Sequence, residues 1–327
     1  WKIAAGLMAG NTCVIKPAMW APLSILQLGE IVSEAGLPSG VLNIVPGNEV
    51  AGRTLVQSKM VDRVSFTGSV QVGKSIARAN ARVRLAPPSL ELGGKAAAIV
   101  FPDCDMDFTV RGVARGIFRS QGESCVAGSR LLLHASIYDE FLSRLVGHVS
   151  KIKIGNPGFI VSDVEMGPLI TKEHLARVED YIQQGVDEGA RLVYGGKRPD
   201  DPELQKGNYL LPTIFDQVSP KMKIWQEEIF GPVLSVMQFQ NEEEAIRLAN
   251  QTKFGLSANI WTKNLDQALR VAGRMDVGMV WVNGHFLRDL RTPFGGRKDS
   301  GSGSEGGRYS WEFYTQPRMV CVSYRSK

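Results

Sequence analysis

The stretch Ser65-Phe66-Thr67-Gly68-Ser69-Val70-Gln71-Val72-Gly73 joins an apolar strand pattern, through a glycine, to a helical pattern. The same alternation runs through the first hundred residues. Strands are predicted at 13–15, 41–45, 61–66 and 96–101, and helices at 1–8, 23–35 and 69–79. Strands that alternate with helices at this spacing are typical of a doubly wound, Rossmann-like parallel sheet, so the sequence predicts an α/β fold.

The rest of the chain continues this pattern but ends differently. Strands are predicted at 130–134, 258–261 and 278–283, and helices at 108–118, 137–151, 174–189, 241–250 and 265–274. We also expect a helix to begin near Cys125. Residues 294–307 are rich in Gly and Ser and are predicted to be loop, whereas residues 319–324 have the pattern of a final strand. A chain of 327 residues exceeds what one core usually holds, so two domains are expected.

Composition argues against several functional classes. The 38 basic and 33 acidic side chains are interspersed and leave a net charge of +5, so neither nucleic-acid nor membrane binding is expected. No apolar stretch has the roughly 18 residues of a spanning helix, and no signal peptide is recognisable. The four cysteines form no CxxC pair and the four histidines no zinc spacing, so we expect no metal and a reducing, cytoplasmic location. The chain opens at Trp1 inside a predicted helix, which indicates a fragment.

Cys125 lies in the strongest chemical motif, Gln121-Gly122-Glu123-Ser124-Cys125-Val126-Ala127-Gly128-Ser129-Arg130. Small residues surround the thiol at an expected helix start, and helix N-termini favour the thiolate, which is the nucleophilic form. The alternative is a buried structural cysteine, which is the commoner state of a free cysteine. The flanking glycines favour the nucleophile, because a core cysteine does not need them.

Glu91 stands in a second motif, Leu90-Glu91-Leu92-Gly93-Gly94-Lys95. In a semi-apolar cleft its carboxyl would have a raised pKa and could serve as a general base. The alternative for a Glu in such a turn is a solvated loop residue.

Two glycine-containing stretches are candidates for phosphate binding. The helix start at Gly68 and Ser69 follows a strand and would present backbone amides to a pyrophosphate, although it is not the GxGxxG fingerprint. Residues 301–306 do match GxGxxG but lack a preceding strand, so we interpret these glycines as loop residues.

Several separated motifs together resemble the aldehyde dehydrogenase superfamily over essentially the whole chain. They are Lys16-Pro17, 66–69, 91–95, the Cys125 segment, 227–232, 254–256 and 293–296. The resemblance implies that Cys125 attacks an aldehyde to form a thiohemiacetal, that hydride transfer to a nicotinamide leaves a thioester, and that Glu91 activates the hydrolytic water. It also implies a set of cofactor-binding residues: Lys16, Gly47, Gly52, Phe66, Thr67, Gly68, Ser69, Val72, Leu92, Glu228 and Phe230.

The resemblance further implies how the chain is divided. Residues 1–93 would be the later part of an NAD(P)-binding domain and 94–292 the catalytic domain. Residues 293–327 would form a return segment with the oligomerisation strand of a homo-dimer or homo-tetramer.

The sequence departs from the family pattern in two ways. The family's N-terminal stretch is absent, and with it an Asn that helps to hold the oxyanion. Loss of one such donor can cost about two to three orders of magnitude in rate. Met19 replaces the family's Glu three residues after the Lys, so NAD is the expected cofactor but NADP stays open.

The stretch Phe286-Leu287-Arg288-Asp289-Leu290-Arg291-Thr292-Pro293-Phe294 suggests the substrate, because it is similar to the hydroxymuconic and aminomuconic semialdehyde dehydrogenases. Arg288 falls where many members place an apolar tunnel residue. Arg119 is a second candidate beside the aldehyde, and Phe294 and Trp1 complete the proposed substrate contacts. Arginine there favours a carboxylate-bearing semialdehyde. The alternatives are weak surface pairing of the arginines, as with Asp289, a general aldehyde dehydrogenase, and an inactive fragment that binds only nucleotide or partner subunits.

Overall fold

The computed structural model describes residues 1–158 and 163–324. Its helices are α1 Lys2–Met8, α2 Leu23–Glu34, α3 Glu49–Gln57, α4 Val70–Ala81, α5 Met106–Phe118, α6 Tyr138–Val149, α7 Lys172–Asp187, α8 Pro202–Gln205, α9 Lys223–Gln226, α10 Glu242–Asn250, α11 Leu265–Gly273 and α12 Gly307–Tyr314. Its strands are β1 Cys13–Ile15, β2 Leu42–Ile44, β3 Ser65–Thr67, β4 Ser89–Glu91, β5 Ala97–Val100, β6 Arg130–His134, β7 Arg191–Tyr194, β8 Thr213–Asp216, β9 Val233–Phe239, β10 Phe254–Gly255, β11 Ser257–Trp261, β12 Met279–Val282, β13 Arg297–Lys298 and β14 Gly301–Ser302.

A seven-stranded sheet forms the centre of the molecule, in the order β12-β11-β5-β6-β9-β8-β7. Every neighbouring pair is parallel except β7 with β8. Parallel strands that are covered on both faces are continuously apolar, and β6 shows this in Leu131, Leu132 and Leu133, which are fully buried. The predicted α/β fold with a mainly parallel sheet is therefore confirmed, although the strands predicted at 13–15, 41–45 and 61–66 do not belong to this sheet.

Helices cover both faces of this sheet, because alternate residues of each strand point to opposite sides. Leu132 packs on the face covered by α7, α10 and α11, in a cluster with Val178, Ile246 and Val271. Leu131 and Leu133 pack on the opposite face with residues of α5 and α6.

The strands that precede β5 form smaller sheets. β1 and β2 make a parallel pair, whereas β3 and β4 are parallel to each other and β14 pairs antiparallel to β4. The predicted strand at 61–66 is shorter than expected, since only its end belongs to β3. This three-stranded sheet brings the Gly- and Ser-rich tail back beside Glu91.

One prediction for the tail is wrong and another is not confirmed. Residues 294–307 are not purely loop, because β13 and β14 form there by pairing with β10 and β4, and α12 begins at Gly307. The strand predicted at 319–324 does not form within the described chain, since no other strand lies beside it to supply hydrogen bonds. Among the described residues, no helix has the length and apolar character needed to cross a membrane.

Candidate active site

Cys125 lies in a turn between a short 3-10 helix, Arg119–Gly122, and strand β6. The helix expected to begin there does not form, because the backbone is left-handed at Ser120, Gln121 and Gly122, with φ of 54°, 56° and 70°. Burial, together with the charges of Glu228 and Glu91, raises the pKa of the Cys125 thiol to about 11. The prediction that a helix start lowers this pKa is therefore wrong. The backbone amides of Cys125 and Val126 oppose the shift.

Glu91 is the last residue of β4, where β3 and β14 flank it, and it is only 3% exposed. Neither of its carboxyl oxygens has a hydrogen-bond partner among the described residues. Loss of hydration raises the pKa of Glu91 to about 8, helped by the charge of Glu305 and opposed by Lys2 and Arg288. A solvated loop residue is thus ruled out, and the raised pKa predicted for a general base is present.

The Gly-Gly turn after Glu91 brings three sequence motifs together. A Cβ added at Gly94 would overlap the carbonyl oxygen of Cys125, so this backbone approach requires glycine. The Gly94 amide donates a 2.9 Å hydrogen bond to Oε1 of Glu228. Cys125, the 91–95 turn and Glu228 therefore share one site, although they are far apart in sequence.

Sequence reasoning missed an ion pair beside Glu91. Lys2 Nζ contacts Oε1 of Glu305, whose side chain is mostly buried, and the Ser65 hydroxyl lies 3.5 Å from the same oxygen. The only local signal was the 301–306 stretch, whose glycines we interpreted as loop. Gly301 and Ser302 form β14, and Glu305 pairs by backbone with Phe294, so this stretch places a carboxylate near Glu91.

The cofactor residues implied by the sequence fall into groups. Lys16 donates to the carbonyls of Pro17 and Gly47 at 2.6 and 3.1 Å, and a Cβ at Gly52 would lie 3.5 Å from its Cδ. These three residues, Lys16, Gly47 and Gly52, are thereby brought together. Met19 nearby is 57% exposed.

A second group surrounds the start of α4. Phe66 and Thr67 end strand β3, Gly68 makes the turn, and the Ser69 hydroxyl caps the helix by accepting from the Val72 amide at 3.3 Å. Leu92 is buried beneath Gly73 of this helix. The strand–glycine–helix arrangement predicted from the sequence is thus present.

Glu228 and Phe230 belong to a third group, beside the Gly94 turn. Phe230 is partly exposed and has a left-handed backbone with φ of 59°. Its neighbour Gly231 packs by its carbonyl against Gly122, three residues before Cys125.

Arg288 stacks on an aromatic cluster. Its Cζ lies 3.2 Å from the ring centroid of Trp1, 4.6 Å from Phe294 and 5.0 Å from Phe286. Burial lowers the pKa of Arg288, while the charges of Glu305, Cys125 and Glu91 raise it. The alternative pairing with Asp289 does not occur, because Asp289 accepts from Arg291 Nε at 2.9 Å. In the part of the chain that the structure describes, Arg288 has no ion pair or hydrogen bond.

Arg119 is exposed, and its charge acts on a different residue. Burial lowers the pKa of His285 to about 4, and the charges of Arg115 and Arg119 lower it further. His285 lies within hydrogen-bond range of Asn259, at 3.3 Å, and packs against Trp281.

Residues 1–320 match the sequence model of the aldehyde dehydrogenase family. The chain belongs to this family. Betaine aldehyde dehydrogenase of Bacillus subtilis (strain 168) is 46% identical over 98% of this chain and 65% of its own length. The 2-hydroxymuconic semialdehyde dehydrogenase of Pseudomonas sp. (strain CF600) is 44% identical over 98% of this chain and 66% of its own. The chain thus spans about two thirds of the length of these curated relatives.

Solved structures superimpose closely on the chain. PnpE from Pseudomonas sp. WBC-3 gives a TM-score of 0.96 at 41% identity and covers 100% of this chain and 66% of its own. Betaine aldehyde dehydrogenase from Staphylococcus aureus, solved in complex with NAD+, gives a TM-score of 0.93 at 38% identity. The match covers 99% of this chain and 66% of that protein's chain. The names of these relatives differ in substrate, so family membership alone does not select one.

Proposed function

We propose that the protein carrying this chain oxidises an aldehyde to a carboxylic acid with NAD, through a covalent intermediate on Cys125. The observation that carries the proposal is the buried carboxyl of Glu91, which has no partner among the described residues and lies near the thiol. An unpaired buried carboxyl is costly, and a general base for hydrolysis explains its presence.

The steps follow from the residues at the site. The Cys125 thiol gives its proton to water as its sulfur attacks the carbonyl carbon, and the amides of Cys125 and Val126 can donate to the oxyanion that forms. Loss of hydride from the thiohemiacetal leaves a thioester on Cys125. Glu91 then takes a proton from the attacking water, the C–S bond breaks, and the acid leaves.

NAD would supply the hydride acceptor when bound, and the residues present fit it. The amides of Val70 and Gln71, the first two of α4, have no partner within the helix and suit a pyrophosphate. Lys16, with Gly47 and Gly52, would lie at the adenosine ribose, and Phe66, Thr67, Val72 and Leu92 would line the approach. Glu228 would accept from the nicotinamide ribose, with Phe230 beside the ring. The NAD+ complex of the Staphylococcus aureus relative supports this assignment.

Aldehyde-dependent formation of NADH tests the proposal. We expect the whole protein to form NADH from an aldehyde and the 1–327 chain to be much slower. An inactive protein that binds only nucleotide or partner subunits would give NAD binding without NADH. That outcome would overturn the proposed function.

We further propose a carboxylate-bearing semialdehyde, such as a muconic semialdehyde, as the substrate. Arg288 supports this, because its guanidinium rests on Trp1, Phe286 and Phe294 with no anion among the described residues. A guanidinium can bind a carboxylate in a bidentate way. Arg119, six residues before Cys125, is the second candidate for this contact.

The charge of the substrate can be tested with Arg288→Ala. We expect kcat/KM to fall roughly ten- to a hundredfold for a muconic-type semialdehyde, since a charge-assisted hydrogen bond contributes about 1.5–3 kcal/mol. For a neutral aldehyde of similar length, kcat/KM should change little. Arg291→Ala is the matched control, because Arg291 pairs with Asp289. Equal loss on both aldehydes would show that Arg288 does not bind the charge and would favour a general aldehyde dehydrogenase.

The wider organisation is proposed on the family pattern. Residues 1–93 would belong to the cofactor domain, 94–292 to the catalytic domain and 293–327 to the oligomerisation arm. Met319 and Tyr324 are 88% and 90% exposed, which suits a segment that pairs with a second copy in a cytoplasmic homo-dimer or homo-tetramer. Sedimentation of the whole protein truncated after residue 318 tests this proposal. If the truncated protein has the same number of subunits as the parent, the arm is not needed for assembly.

A further inference from the structure

One face of α7 contacts the segment that would face the cofactor, residues 227–231. Three polar side chains at spacings of three and four lie on this face. His174 Nε2 donates to the carbonyl of Phe230 at 2.6 Å, Arg177 Nη2 donates to the carbonyl of Glu228 at 3.1 Å, and the Tyr181 hydroxyl donates to Oε2 of Glu227 at 2.7 Å. The helix therefore holds this segment at three points.

The N-terminal end of α7 is joined to the nucleophile turn, residues 121–127. Oε1 of Glu123 accepts from the Ile170 amide at 3.1 Å, and His174 Nε2 lies 3.5 Å from the same oxygen. Gln121 Nε2 donates to the carbonyl of Pro168 at 3.2 Å, and its Oε1 accepts from Gly167 at 3.4 Å. Helix α7 and residues 167–170, which lead into it, thus contact both segments.

His174 is the residue common to both contacts. Its side chain is 13% exposed and that of Glu123 14%, so water competes little for these hydrogen bonds. Thr171 caps α7 by accepting from the His174 amide at 3.1 Å, which fixes the backbone from which the imidazole projects.

Both contacted segments have backbone conformations that are unfavourable for residues with side chains. Gln121 has φ of 56° and Phe230 has φ of 59°. Left-handed residues of this kind persist only where their surroundings hold them. His174 bonds directly to the carbonyl of Phe230, and the 167–170 segment that leads into α7 bonds to the side chain of Gln121.

We propose that His174 is a positioning residue that holds the cofactor-facing segment, 227–231, at a fixed distance from the nucleophile turn. This inference rests on the proposed function for the identity of the bound ligand. The contacts of Arg177 and Tyr181 support the same segment from the following turns of α7. None of the three needs to touch the reacting atoms.

The test compares His174→Ala with His174→Gln, whose amide can restore a donor to the Phe230 carbonyl. We expect His174→Ala to raise KM for NAD about fivefold to tenfold with a smaller change in kcat, and His174→Gln to remain within about twofold of the parent. These factors correspond to the loss of one hydrogen bond, that of His174 to the Phe230 carbonyl. Gln183→Ala is the matched control on α7, because among the described residues the side chain of Gln183 bonds only to Asp187 of the same helix.

Hydrogen–deuterium exchange separates this inference from the proposed function, since it needs neither aldehyde nor NAD. In His174→Ala we expect faster exchange in residues 227–231 and 121–127, with α5 and β6 unchanged. Exchange equal to that of the parent in both segments would overturn the inference, even if the enzyme is active. Equal KM for NAD in the Ala and Gln variants would also overturn it. If the parent forms no NADH, the proposed function fails while the exchange measurement still decides the role of His174.

Discussion

The candidate site has an inner part around Cys125 and Glu91 and an outer part around Lys16, Met19 and α4. The two parts differ in their exposure to water. In the inner part Glu91 is 3% exposed and its carboxyl has no partner among the described residues. In the outer part Val72 and Met19 are 46% and 57% exposed, and Lys16 donates to two carbonyls. The Glu91 carboxyl is therefore desolvated, whereas Val72 and Met19 remain exposed to water.

This difference matches the two roles proposed for the site, which are proton transfer and binding of a dinucleotide. Burial shifts the pKa of Glu91 upward, toward values that suit proton transfer near neutral pH. Binding of a dinucleotide depends instead on backbone amides and side chains that the ligand can reach. Substitutions in the inner part should therefore change chemistry, and those in the outer part should change cofactor preference.

The largest effect is expected for Cys125→Ala. Without the sulfur no thiohemiacetal can form, so turnover of aldehyde should be abolished in the whole protein. Cys13→Ala, Cys104→Ala and Cys321→Ala should each retain activity, because none of these thiols lies in the 121–130 motif. Steady-state NADH formation is measured for all four variants. Turnover by Cys125→Ala would contradict the role of Cys125 as the nucleophile.

Glu91→Gln should have the next largest effect. General-base catalysis contributes roughly a hundred- to ten-thousandfold, so hydrolysis of the thioester should slow by that order while the first hydride transfer is less affected. Rapid mixing should then show a burst of NADH followed by a slow steady state. A variant that turns over at the rate of the parent would exclude Glu91 as the base.

The pH dependence of the parent follows from the same carboxyl. Burial raises the pKa of Glu91 to about 8, so its basic form is scarce at pH 6 and predominates only above about 8. Steady-state turnover limited by hydrolysis should therefore rise as the pH increases through this range. The rise should be absent in Glu91→Gln, and a parent profile that falls through pH 8 would contradict the assignment.

A pair of glycine substitutions contrasts the packing of the two parts. A Cβ at Gly94 would overlap the Cys125 carbonyl, so Gly94→Ala should lower the free energy of unfolding by about 1–3 kcal/mol. Gly52→Ala places its Cβ 3.5 Å from Lys16 Cδ inside α3, which is ordinary contact. It should be neutral or stabilise by about 0.5–1 kcal/mol. Denaturant unfolding of both variants is the measurement. Equal losses in the free energy of unfolding would show that the two glycine positions are packed alike.

The smallest effect is expected for Met19→Glu in the outer part. A carboxylate at this exposed position would repel a 2′-phosphate, so use of NADP should fall roughly tenfold while use of NAD changes little. The parent should therefore show measurable activity with NADP. Undetectable NADP activity in the parent at saturating concentration would contradict the role given to Met19.

Sequence patterns predicted the outer part of the site better than the inner part. The β3–Gly68–α4 unit follows from residues adjacent in the chain, so local patterns suffice. The turn at Cys125 was mistaken for a helix start. Its shape depends on contacts from Gln121 to Gly167 and Pro168, which are more than forty residues away. Local periodicity carries no information about such contacts.

Long-range pairs also explain what else was missed. Lys2 and Glu305 are 303 residues apart, and they meet only because β14 returns beside β4. Strand β9 was not predicted, because its buried residues form a run that lacks the alternation of a half-exposed strand. The strand predicted at 319–324 is not confirmed, because a strand pattern alone supplies no hydrogen-bonding partner.

The most direct test of the inner site is to trap the thioester. Glu91→Gln, mixed with aldehyde and NAD and quenched early, should carry one acyl group on Cys125 when the peptides are examined by mass spectrometry. Omission of either NAD or aldehyde should remove it. NADH formation with the acyl group on another residue, or with no acyl enzyme at any time, would contradict the account.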